Sequence, residues 1–347
     1  MTVLATELLN RSIRWARNRI APGAAILVYH RVTELPSDPQ LMCVTPRNFE
    51  DHLASLRSLG HPVSLEALVE ALRSGRPLGM AVVVTFDDGY VDNLCHAKPL
   101  LEQNDIPATV FVTAGHIGQQ EKFWWDQLEE LLLQPGTLPK VFRLEVNGTT
   151  REWDLAEWAT YSESDYNKHR HWNILDNSEP TTRHKVYRAL CTLLRPLSYL
   201  EQATILAQTR AQATGQNSSR SSHQRLSEDE LRRLAKGGIV NVGAHTLTHS
   251  VLANLDADHQ QIEIQGCKSY LEGVLESKVT SFAYPYGTRL DYSMDTVKIV
   301  QSSGFECSCA NFGAPVYRGA DRYQLPRILV RDWDGAEFVR RLKYWID

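Results

Sequence analysis

The sequence lacks the marks of several common classes. Its six cysteines include no C-x-x-C pair, so neither a zinc knuckle nor a disulfide framework is expected. No run of 18 apolar residues occurs, so no transmembrane segment is expected. A net charge of -4 gives no case for nucleic acid or for an anionic membrane surface as partner. Residues 1–20 carry helical apolar spacing and four arginines but no signal-peptide core and no cleavage-like site. That predicts an N-terminal helix over 1–23, packed on the domain or in peripheral contact with a membrane, and a cytoplasmic location. No internal repeat is evident.

The 347 residues suffice for one sizeable α/β domain with an insertion, or for two domains. Short β-prone apolar runs occur at residues 24–29, 81–84, 108–112, 239–243, 280–284, 305–310 and 325–330. Helical signals fall between them: Thr45-Pro46 and Ser64 as starts, Ser227 with Glu230 as a capping box, and a last helix from Gly335. Such alternation predicts a parallel sheet, open or closed into a barrel. Residues from about 120 to 225 differ in character. Trp124, Trp125, Leu128 and Leu131 mark a helix, Asn147-Gly148 a hairpin turn, and Tyr187, Leu190 and Leu194 another helix. With the polar tether Gln216–Ser222, this region reads as a mainly helical insertion, a lid or a partner surface.

The polar motifs follow the carboxyl ends of the predicted strands. His30 follows the first, Asp87-Asp88 the second, His116 the third, His245 the fourth and Pro285-Tyr286-Gly287 the fifth. In a β/α barrel those ends share one face. Adjacent carboxylates repel unless a cation or proton holds them together, although a plain strand-to-helix turn capped by Asp88 or Asp92 would also place them there. His245-Thr-Leu-Thr-His249 spaces two imidazoles four apart, on one face of a helical turn. Two histidines and one Asp would leave open positions on a divalent ion for water and substrate. The other Asp would stay ionised beside that cation and accept the water's proton, which points to metal-assisted attack on a carbonyl.

Thr85-Phe86-Asp87-Asp88-Gly89, His245-Thr-Leu-Thr-His249 and Tyr284-Pro285-Tyr286-Gly287, in that order, resemble the first three motifs of the polysaccharide deacetylase family (NodB homology domain, carbohydrate esterase family 4). Tyr29-His30-Arg31-Val32 and Phe123-Trp-Trp-Asp126 resemble a subgroup of it. The resemblance covers roughly residues 25–125 and 226–335. It implies a distorted (β/α)7 barrel over 24–347, interrupted at about 120–225, that removes acetyl groups from an N-acetylated glycan or glycan precursor. It implies Asp87 as catalytic base, Asp88, His245 and His249 as metal ligands, and the backbone N–H of Tyr286 as an oxyanion donor. The ion is expected to be zinc, with iron, cobalt or nickel suiting the same ligands.

Two departures stand out. Ala283 occupies the place of an arginine that orients the base, leaving Arg327 or Arg331 to substitute. No histidine follows His259, so His30 takes the place of the usual general acid. Asp332-Trp333 partly resembles the fourth motif, and Pro285, Tyr286, His116 and Trp333 are candidate substrate contacts. The rivals are an amidase for small or cyclic amides, a non-haem iron oxygenase, and a carbohydrate-binding relative without catalysis.

Overall fold

Ala25–Tyr29 (β1) is an unbroken apolar run, Ala-Ile-Leu-Val-Tyr, and all of it is buried. Unbroken runs suit parallel strands covered on both faces. The protein, seen in a computed structural model, is described over residues 23–118, 122–213 and 223–346. The expected N-terminal helix and the tether Gln216–Ser222 lie outside these residues. The chain forms two compact units: Met1–Glu34 with Cys43–Gly118 and Leu226–Asp347, and Leu35–Met42 with Gln119–Arg225.

In the first unit β1 is followed by His61–Pro62 (β2), Ala81–Phe86 (β3), Ala108–Val112 (β4), Val240–Ala244 (β5), Ser281–Ala283 (β6), Cys307–Cys309 (β7) and Ile328–Leu329 (β8). Their order is β7-β6-β5-β4-β3-β1-β8, with β2 beside the start of β3. Every pair is parallel. The sheet curls, and the last segment reaches both of its ends: Leu325 bridges Cys309 of β7, while Ile328 and Leu329 pair with Leu27 and Val28 of β1. The alternation of elements left the sheet open or closed; it is a curled, mostly parallel half-barrel, matching the (β/α)7 barrel that the resemblance implies.

Alternation with a period of two sorts strand residues into two cores. Ile26, Val83, Phe111, Ala283 and Cys309 cluster with Leu65, Leu68 and Val69 of the helix Leu65–Ser74. Leu27, Val82, Val84, Phe86 and Val110 cluster instead with Phe49, Leu53 and Leu56 of the helix Pro46–Leu59. Ala81, Val83, Thr85 and Asp87 therefore form one row along β3 and just past it, on the face that Phe111 and Ala283 share. The helix starts read from the sequence are present, with Thr45, Ser64 and Ser227 each accepting a backbone N–H of the first turn.

The second unit has its own core, in which Leu128 and Leu132 of the helix Trp124–Leu132 meet Tyr187, Leu190 and Leu194 of the helix Thr182–Leu194. Val141–Val146 and Thr149–Asp154 pair as an antiparallel hairpin. Asn147 and Gly148 turn it with φ of 50° and 75°, the left-handed conformations that a two-residue turn requires. Among the described residues no helix is long and apolar enough to cross a membrane.

Candidate active site

Parallel strands present their carboxyl ends along one rim. Register aligns Tyr29 with Phe86, Phe86 with Val110, Val112 with Ala244, and Ala244 with Phe282. His30, Asp87-Asp88, Thr113, His245 and Tyr284-Pro285-Tyr286 come next on their strands. At the end of β3 the backbone twists into positive φ, 76° at Asp88 and 83° at Gly89, and the neighbouring carboxylates reach different partners.

Asp87 continues the row of Val83 and Thr85 and meets Arg327. Arg327 donates from Nη1 to Oδ1 and from Nη2 to Oδ2, both at 2.6 Å, a bidentate charge-assisted pair. Thr85 Oγ1 and the carbonyl of Ala310 also accept from this guanidinium at 3.3 Å. Burial pushes the Asp87 carboxyl up, but the Arg327 charge overrides it and holds the group below its ordinary value. Of the two arginines named from the sequence, Arg327 makes this pair.

Asp88 faces the two imidazoles. Its Oδ1 lies 3.3 Å from His249 Nε2 and 3.7 Å from His245 Nε2, and ligand atoms of all three residues lie within 4.8 Å of one another. Burial raises the Asp88 carboxyl, yet the adjoining His249 brings it well below the usual range. His245 Nδ1 donates to the carbonyl of Ala283 at 2.8 Å. A carbonyl only accepts, so this bond places the proton on Nδ1 and aims the Nε2 lone pair at Asp88. Burial draws His245 down to about 4, which keeps it neutral as a ligand must be. Asp88 Oδ1 is buried and accepts no hydrogen bond of ordinary geometry. A buried carboxylate oxygen facing the Nε2 lone pair of His245 and the Nε2 atom of His249 suits a cation among them, so the residues fit a divalent metal.

The helical turn expected over His245–His249 is absent. The segment is an irregular bend, with positive φ of 65° at Thr246 and 61° at His249. The imidazoles converge because the bend turns them together, their ring centroids 4.9 Å apart. Among the described residues ten non-glycines have positive φ, and Asp88, Thr246, His249 and Tyr286 are four of them. Backbone strain gathers at functional sites in this way.

Tyr286 sits edge-on to His249 at 4.8 Å between ring centroids. Behind it, a Cβ on Gly287 would lie 2.8 Å from the amide of Asn311, so the Pro285-Tyr286-Gly287 turn needs its glycine. His30 is partly exposed, and its carbonyl accepts from Asn93 Nδ2 at 2.9 Å. Burial lowers its imidazole, while Asp88 and Asp87 pull the other way. Asp92 does not cap the helix after it; it accepts from Arg31 Nε at 2.9 Å and from the Val32 amide at 3.0 Å. Trp333 stands in another neighbourhood, with Arg341 at 4.4 Å over its ring and its carbonyl accepting from His52 at 2.7 Å. The backbone of His116 lies in the 3₁₀ turn Ala114–His116, and its side chain is outside the described residues. Two residues at the rim escaped the sequence reading, Asn93 and Glu263. For Asn93 a signal existed, the polar Asp92-Asn93 pair one turn past the acidic motif; Glu263 looks like any acidic residue of a helix.

The polysaccharide deacetylase model matches residues 75–137 and 197–308, half of the chain. The chain belongs to the polysaccharide deacetylase family. That family is metal-dependent and acts on C–N amide bonds of carbohydrates. YxkH of Bacillus subtilis, provisionally named a polysaccharide deacetylase, is 28% identical over 149 residues, 42% of this chain and 52% of that protein. Poly-beta-1,6-N-acetyl-D-glucosamine N-deacetylase of Escherichia coli is 35% identical over 96 residues, 27% of this chain and 14% of that protein. The chain thus spans about half the length of the first of these relatives and much less of the second. The structure of the Streptococcus pyogenes deacetylase PplD in complex with acetate superposes with a TM-score of 0.56 at 16% identity, over 93% of this chain and 99% of that one. At that identity the likeness speaks to the fold.

Proposed function

We propose that this polysaccharide deacetylase family member is a metal-dependent N-deacetylase that hydrolyses the acetamide of N-acetylated amino sugars in a glycan. The observation that carries the reading is a division of labour between adjacent carboxylates. Asp88 shares a three-donor site with two imidazoles, while Asp87, 4.0 Å from His245 Nε2, is held ionised by Arg327 outside that donor set. Asp88, His245 and His249 would hold a divalent metal, zinc first and iron, cobalt or nickel by the same donors. When bound, such an ion polarises a carbonyl oxygen and acidifies water.

The chain's own residues supply the rest. Asp87 takes the proton of the attacking water, and Arg327 fixes its orientation. The Tyr286 backbone N–H stabilises charge on the former carbonyl oxygen. His30 gives a proton to the departing amine, without which an amide nitrogen is a poor leaving group. Pro285, the Tyr286 ring and His116 are the sugar contacts of this reading.

The E. coli relative is named for a β-1,6-linked N-acetylglucosamine polymer, so oligomers of that linkage are the first substrate to try. Acetate release and metal content are measured together for the wild type and Asp87→Asn. Turnover should fall by a factor of about 10² to 10⁴ in the variant, the usual worth of a general base, with its metal retained. A metal-loaded wild type that frees no acetate from this or other N-acetylated glycans would refute the reading.

A further inference from the structure

The bend that carries the two imidazoles is held from outside. Glu263, on the helix Ala257–Leu275, takes its amides: Oε2 accepts from Leu247 N and Thr248 N at 2.9 Å each, and Oε1 from Thr248 Oγ1 at 2.6 Å. Thr246 Oγ1 accepts from His249 N at 2.9 Å. On the other side Ala114 N and Gly115 N donate to the carbonyls of Thr246 and Leu247 at 3.0 and 2.8 Å.

Packing leaves the loop no slack there. A Cβ on Gly115 would lie 2.6 Å from the Leu247 carbonyl oxygen, and one on Gly266 would lie 2.7 Å from Leu247 Cδ1. Positive φ at Thr246 and His249 persists only where the surroundings over-determine it. Glu263 is the charged group doing so, 9% exposed and with both oxygens turned to the loop.

We infer that Glu263 is the positioning residue for metal capture, holding the His245–His249 bend so that both imidazoles meet Asp88 as a preformed donor set. The inference rests on the metal-dependent reading above and extends it to a residue that is not itself a ligand. Without this carboxylate, two backbone amides and a hydroxyl lose their acceptor. The bend then relaxes toward ordinary φ, and the imidazoles separate. Residues behind metal ligands commonly matter 10- to 100-fold in affinity.

The test is direct metal binding to the full chain, read by the visible spectrum of added cobalt(II) and by competition titration with zinc. Glu263→Ala should bind each ion about 10- to 100-fold more weakly, in a metal-free protein that still unfolds cooperatively, its melting temperature lower by the few degrees that lost hydrogen bonds cost. Glu263→Gln should stay close to wild type, because its oxygen still accepts the two amides while its NH2 donates to Thr248 Oγ1. Wild-type affinity in a folded Glu263→Ala protein overturns the inference, as does a glutamine variant as weak as the alanine one. If Glu263→Ala does not fold, Thr248→Ala decides: weaker cobalt binding at unchanged melting temperature supports the role, and unchanged binding removes it. A wild type that binds neither ion would sink the metal reading itself.

Discussion

Arg327 of the barrel unit is 1% exposed and Arg183 of the second unit 0% exposed, yet their partners differ in kind. Arg183 donates only to carbonyls: Trp158 at 2.7 Å, Gly136 and Ala159 at 2.8 Å, Leu132 at 3.3 Å and Gln134 at 3.5 Å. It ties a helix end to two short strands, and burial with no counter-charge among these acceptors lowers it to about 10. Burial acts the same way on Arg327, but Asp87 outweighs it and raises the group. Fixed dipoles close the network around Arg183. Around Arg327 the network stays open, because Asp87 is itself ionisable and borders the three-donor set of Asp88, His245 and His249. Burial alone does not distinguish a structural charge from a functional one; the chemical kind of its partner does.

The comparison can be broken first at Arg327. Arg327→Met leaves Asp87 a buried charge without its partner, which should cost about 3–5 kcal/mol in denaturant unfolding. Asp87→Asn with Arg327→Met should recover most of that stability and none of the turnover. If the double variant is as unstable as the single one, the pair is not the dominant contact of Arg327. Arg183→Met should cost about 3 kcal/mol, and no single second substitution should restore it, since its partners are main-chain carbonyls. A one-residue rescue would place an unsuspected acid beside it.

Buried histidines sharpen the contrast, since both units hold one by the same means. Burial lowers His52 of the barrel unit to about 4 and His184 of the second unit to about 3. Between those values and the ordinary 6.5 the unfolded chain binds protons that the folded one refuses. The contribution is therefore complete above pH 6.5 and fades as the pH falls, by about 3 kcal/mol for each residue at pH 4. His52→Phe and His184→Phe should each flatten the acid limb of stability against pH by about that amount. A limb unchanged by both would show that neither histidine stays neutral through folding.

What the sequence discloses follows the range over which each feature is determined. The apolar runs of β1 and of Ala81–Val84 in β3 are legible because burial on both faces favours apolar residues at successive positions. Asp87-Asp88 and His245/His249 stand out because each follows the end of an apolar strand run, where like ionisable groups side by side call for a cation or proton between them. The shape of the His245–His249 bend is not legible: spacing favours a helical turn, and its positive φ values answer to acceptors supplied by Glu263, 14 positions after His249 in the sequence. The choice between Arg327 and Arg331, which share a parity on the strand, is likewise not legible: it is set by long-range register, the pairing of Leu27 with Ile328 placing Arg327 level with Ile26, on the face of Val83, Thr85 and Asp87. Nor does local sequence reveal the direction of Asp92, whose partners Arg31 and Val32 lie on the first strand's extension.

The smallest expected effect comes from two buried amides that again differ in what they hold. Gln202 of the second unit donates to the carbonyls of Leu194 and Leu197 at 3.0 and 3.2 Å, closing a helix end, so Gln202→Ala should cost about 1 kcal/mol of stability. Asn93 of the barrel unit donates to the carbonyl of His30 at 2.9 Å while its own Oδ1 is buried without an acceptor's bond. It lies at the start of a π-wound turn, Asn93–Ala97, a distortion found often beside functional sites. If His30 delivers the proton to a departing amine, its aim matters only when the leaving group needs that proton. Asn93→Ala should then slow acetamide hydrolysis about tenfold, equivalent to about 1.4 kcal/mol. Hydrolysis of 4-nitrophenyl acetate, whose nitrophenolate leaves unassisted, should hardly change. Equal losses on amide and ester would make Asn93 another Gln202, a structural tie with no share in the chemistry.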